Sequence, residues 1–113
     1  MNTEKIKTLE RVLEAMDIVE NARSMTGLTN DERFELEKAA IQLRNIERSI
    51  IRIKTSELVD KLTSDTEALK ELSERINKSA EKLAGIAKAL EKAANIVESF
   101  INIASQAIKA GLI

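Results

Sequence analysis

No proline interrupts this 113-residue chain, and glycine occurs only at Gly27, Gly85 and Gly111. Those two residue types supply most of the turns and helix stops open to a polypeptide. A chain nearly without them has few places to change direction. Ala, Leu, Ile, Glu, Lys and Arg fill the stretches between, which is the composition of long helices and coiled coils. Phe34 and Phe100 are the sole aromatics, so any core is aliphatic. The expectation is an all-α fold in a single helical-bundle domain over residues 1–113.

Hydrophobic spacing predicts three helices, at about residues 3–26, 30–62 and 65–111. In the first, Ile6, Leu9, Leu13 and Met16 recur three and four apart, with Val12 and Val19 widening the stripe. Gly27 suits the left-handed conformation past a helix end, and Leu28 is placed to fold back on the last turn. Thr29-Asn30-Asp31-Glu32 reads as a capping box for the second helix. Its core stripe is Leu36, Ala39, Leu43, Ile46, Ile50 and Ile53. The phase slips between Ile53 and Leu58, which predicts a stutter or bend. Ser64-Asp65-Thr66-Glu67 reads as a second capping box and predicts a tight turn at residues 63–65. From Leu69 to Ala107 a regular three-four seam predicts one continuous helix, with Asn77 to Gly85 the place for any break. The architecture is an antiparallel bundle of three long helices with coiled-coil-like packing, or of four if the third breaks near Gly85.

Helix length then becomes a functional argument. An unbroken third helix of about 47 residues spans roughly 70 Å, against about 50 Å for the second. Its C-terminal part would extend past its neighbours. That part is also the least charged, with only Glu98 and Lys109 between Ala93 and Ile113. Leaving its large side chains bare would forfeit on the order of 10 kcal/mol, comparable to the stability of a whole domain. Three covers are open: a fourth helix made by bending near Gly85, a second copy of the chain, or a different protein or membrane. The interface residues expected under the external covers are Leu83, Ile86, Leu90, Val97 and Phe100, followed by Ile101, Ile103, Ala104, Ile108 and Leu112. The leading expectation is a non-enzymatic protein-protein interaction or self-assembly module, forming a homo-oligomer or docking another helical protein. The alternative is a membrane-associated or membrane-active protein that exposes its C-terminal amphipathic helix. A thin, uncharged polar stripe and one phenylalanine fit interfacial binding less well.

Charge and chemistry exclude other classes. Eighteen basic against nineteen acidic residues leave a net charge of −1, which argues against nucleic-acid binding. Histidine, cysteine, tyrosine and tryptophan are all absent, so neither a catalytic residue, a cofactor site, a metal site nor a small-molecule substrate is expected. Glu67, Glu71 and Glu74 read as a solvated helix face. Arg44, Arg48 and Arg52 form a ladder four residues apart, projecting from one face. It either orients an acidic partner or, as the favoured reading, pairs within the chain with Glu10 and Glu47. The N-terminus lacks a signal-peptide core and no apolar run reaches transmembrane length, so the expected location is cytoplasmic.

Overall fold

The computed structural model describes residues 2–79 and 81–112, with side chains for these except Ser79. Four helices follow one another: α1 (Asn2–Arg23), α2 (Asn30–Ile51), α3 (Ser56–Ser79) and α4 (Ala84–Lys109). A single 3-10 turn, Glu81–Leu83, leads into α4. Each helix packs on two neighbours in the cyclic order α1, α2, α3, α4, which is a four-helix bundle. Short connections make successive helices antiparallel, and the whole measures 50 × 20 × 17 Å.

The first turn is the one the sequence specifies best. Gly27 has φ +78°, and Leu28 is buried beneath it. The Glu32 N–H donates to Thr29 Oγ1 at 3.1 Å, and the Thr29 N–H donates to Glu32 Oε1 at 2.8 Å. Both halves of the capping box are therefore made. The backbone N–H of Thr29, followed by its side chain and Lys82, holds the Glu32 carboxyl below its usual value against a smaller opposing effect of burial. Lys82 Nζ also donates to the Gly27 carbonyl at 2.8 Å, tying this turn to the start of α4.

The second turn falls at residues 52–55 rather than 63–65. The Arg52 N–H closes α2 on the Arg48 carbonyl, and Thr55 Oγ1 accepts from the Leu58 N–H at 3.3 Å to open α3. The phase slip after Ile53 is thus a full reversal of the chain, not a bend. Ser64-Asp65-Thr66-Glu67 lies inside α3 and caps nothing. Thr63 and Thr66 hydroxyls donate to the carbonyls of Val59 and Leu62 one turn back, at 2.8 and 2.7 Å. With its hydroxyl satisfied in this way, Thr66 is buried as a core residue.

The third helix expected to run to residue 111 is two helices. α3 ends at Ser79 and α4 starts at Ala84, inside the segment that the sequence marks for a break. No side chain caps α4; the buried Leu83 stands at its N-cap position. The reversal lays Leu90, Val97 and Phe100 against the other helices, and all are essentially inaccessible. Ser73 Oγ donates to the Ala87 carbonyl at 2.7 Å across the buried α3–α4 seam. On the surface, Lys70 Nζ meets Glu98 Oε1 at 2.6 Å, and that hydrogen bond raises the Lys70 pKa. α4 ends in a Schellman motif: Leu112 N–H to the Ala107 carbonyl, Gly111 N–H to the Ile108 carbonyl, Gly111 at φ +71°.

The stripe on α1 is turned from its expected phase. Thr8, Val12, Ala15, Val19 and Ala22 are buried, whereas Ile6 and Leu13 are exposed. Small residues at three of those five positions let α1 approach closely. The Thr8 hydroxyl donates to the Glu4 carbonyl at 2.6 Å, so it enters the core satisfied.

Candidate interaction surface

The residues expected to face a partner divide into two groups. Leu83, Leu90, Val97, Phe100 and Ala104 are buried in the bundle core and, as placed, closed to a partner. Their cover is internal, because the reversal between α3 and α4 removes the overhang. Ile86, Ile101 and Ile108 are half-buried and packed against that core. Ile103 and Leu112 are exposed, leaving a hydrophobic patch on the C-terminal helix.

Ile103 lies seven residues beyond Ile96, which lines a groove. α1 and α4 are antiparallel neighbours, and between them lies an open trough of about 700 Å³. Ala15, Ala89 and Ala93 form its floor, and Ile18 and Ile96 its walls. Gly85 opens one end, where an added methyl group would meet nothing within 4 Å. Small floor residues keep the trough deep, because no long side chain fills the space between the helices. Arg11, Lys88 and Lys92 stand on the rim with one acid, Glu14, which Arg11 Nη1 holds at 3.2 Å. The rim is therefore cationic over an apolar floor. The α1 side of this trough, Arg11, Glu14, Ala15 and Ile18, was not foreseen. The available signal was Arg11, Ala15 and Ile18 at helical spacing, alongside the stripe taken for core.

Arg44, Arg48 and Arg52 all stand exposed on the solvent side of α2. Among the described residues none of the three makes an ion pair; neither Glu10 nor Glu47 reaches them. The expected intramolecular pairing does not form, because Glu10 projects outward from α1 rather than toward α2. Phe34 and Ile41 share the ladder's side of the helix, and Lys38 Nζ lies 4.4 Å from the Phe34 ring centre.

Among the described residues no group of three acidic side chains is placed to hold a metal ion, Glu67, Glu71 and Glu74 included. No helix among them is long and apolar enough to cross a membrane. The geometry defines a four-helix bundle carrying an apolar, cation-rimmed groove. Comparison with protein-family models, curated proteins and solved structures finds no match to this chain.

Proposed function

We propose that this chain is a non-enzymatic helical interaction module, and that it docks an amphipathic helix with acidic flanks in the trough between α1 and α4. The observation carrying this reading is the pairing of an alanine floor with a rim of Arg11, Lys88 and Lys92. A helix laid in such a groove buries its apolar stripe on the floor and sets its flanking charges against the rim. Apolar burial supplies affinity, while opposite charge selects the partner and its orientation. Release of α4 to a membrane is the weaker reading, because Leu90, Val97 and Phe100 would all leave the core.

A fluorescent twenty-residue helical peptide with a leucine stripe and glutamate flanks is the probe, and its lysine-flanked counterpart the control. Anisotropy titration is expected to show about tenfold tighter binding of the glutamate peptide, shrinking as salt rises. Ala89→Glu fills the floor and adds a like charge, so it is expected to abolish that binding while leaving helicity unchanged. Equal affinity for the two peptides, or binding that survives Ala89→Glu, contradicts the reading.

A further inference from the structure

A second surface, independent of the groove, carries a different occupant. Nine large hydrophobic side chains are exposed among the described residues; Ile18 of α1 lines the trough, and the other five on α1 and α2 are Ile6, Leu13, Phe34, Ile41 and Ile51. They are 48–57% exposed, and α3 contributes none. Ile6 and Leu13 lie seven residues apart, as do Glu10 and Asp17, so all four share the outer side of α1. Phe34, Ile41 and Arg48 follow the same seven-residue step along α2, with Arg44 and Arg52 flanking Arg48. Among the described residues, Glu10, Asp17 and the three arginines make no ion pair. One hairpin thus presents an acidic, apolar helix beside a basic, apolar helix, each with its charges unanswered.

We propose that this α1–α2 face is a self-association surface, occupied by a second copy of the chain about a twofold axis parallel to the helices. A twofold interface brings one patch against itself, so the patch must carry both signs in complementary places. The α1–α2 face does. The cation-rimmed α1–α4 trough does not, and would repel its own copy. With the axis along the helices, α1 of the second copy lies antiparallel on α2 of the first, at an unchanged level along the bundle.

The register follows from one bond. Lys5 Nζ donates to the Ile51 carbonyl at 2.8 Å, so residue 5 is level with residue 51. Counting along the two antiparallel helices sets Glu10 level with Ile46, Leu13 with Leu43 and Asp17 with Ala39. The second copy's Glu10 therefore falls between Arg44 and Arg48, and its Leu13 beside Ile41. Each contact occurs twice by symmetry. Two helices about 33 Å long, side by side, present a face of roughly 650 Å² per copy, which reaches the lower range of stable interfaces.

Sedimentation equilibrium on the full chain tests this, using charge-reversed variants at exposed positions. The unchanged protein is expected to be a dimer at about 50 µM, weakening as salt rises. Arg44→Glu with Arg48→Glu is one variant, and Glu10→Lys with Asp17→Lys is the other. Each alone is expected to dimerise at least about tenfold more weakly, because like charges then meet. Their equimolar mixture is expected to restore a heterodimer, since one of its two symmetric contacts remains native and the other is reversed in both members. A monomeric unchanged protein overturns the proposal. So does dimerisation that survives in both variants, and so does a mixture of monomeric variants that stays monomeric. Peptide binding in the α1–α4 trough is read separately, so either surface can fail without the other.

Discussion

Replacing Phe100 by alanine is expected to lower the unfolding free energy by about 3–5 kcal/mol. Phe100 is 1% exposed, the largest of the sealed core side chains, in a core whose other large side chains are all aliphatic. Small aliphatic neighbours cannot swing in to fill the space of a lost ring, so most of the cavity would remain. Urea unfolding followed by far-UV circular dichroism reads the change, with a shifted midpoint and little change in slope. Ile103→Ala, three residues further on, supplies the contrast. Its side chain is 39% exposed, and its loss is expected to cost under about 1 kcal/mol. Had Phe100 stood on an external interface, its removal would weaken association and leave the monomer's stability nearly untouched. A loss at Phe100 no larger than at Ile103 contradicts the internal placement of α4.

The second large effect concerns where the chain turns between α2 and α3. Ser64→Pro is expected to destabilise the bundle by about 3 kcal/mol or more. Position 64 lies within α3, on its exposed side, so little packing changes and the backbone alone is tested. Proline there removes an N–H from the helical ladder, and its ring meets the carbonyl one turn back. Ser56→Pro is the matched control. Ser56 is the first residue of α3 and follows Thr55, whose hydroxyl caps the helix. Proline at a first helical position fits the backbone and loses no helical bond, so it is expected to be nearly neutral. The reverse outcome, with Ser64→Pro tolerated and Ser56→Pro damaging, would restore the turn to residues 63–65.

These two sites also show which physics the sequence displays and which it conceals. The core stripe expected for the second helix was legible: Leu36, Ala39, Leu43, Ile46 and Ile50 of α2 and Ile53 in the turn after it are all buried. So were the seam positions Leu69, Leu72, Ile76, Leu83, Leu90, Ala93, Val97, Phe100, Ala104 and Ala107, with Ile86 half-covered; the side chain of Ser79, also on the seam, lies outside those described. The break between them was not legible from periodicity. Ile76 and Leu83 lie seven residues apart on either side of it, which keeps the seam in phase as though the helix continued. Neither a capping side chain nor a left-handed glycine marks the start of α4. What decides it is burial of the apolar face of α4, a tertiary effect that local pattern does not report.

At residues 63–66 the opposite failure occurred. A strong local capping pattern was overridden, because Thr66 could bond the carbonyl one turn back and enter the core. On α1, ranking by side-chain size favoured Ile6 and Leu13, whereas close helix packing favoured Thr8, Ala15 and Ala22. That displacement leaves apolar residues in water on the α1–α2 face. The candidate groove was half visible: its α4 side belongs to the apolar C-terminal segment, while its α1 side follows only from which helix packs beside it. The arginine ladder was visible in full, but its lack of internal partners required the fold.

The α1–α4 trough and the closed core depend on α4 folding back along α3, and one distance decides that. The chain has no cysteine, so Glu67→Cys with Asn102→Cys places two spin labels without background, both at exposed positions. An unbroken helix would hold these sites about 50 Å apart. In the bundle they stand side by side on adjacent helices, one turn from the Lys70–Glu98 contact of 2.6 Å. Pulsed electron–electron dipolar spectroscopy, with the labelled protein diluted into unlabelled protein, is expected to give a single population at roughly 25 Å or less, given helix axes 8–10 Å apart. A dominant distance near 50 Å would mean a straight C-terminal helix and would contradict the account.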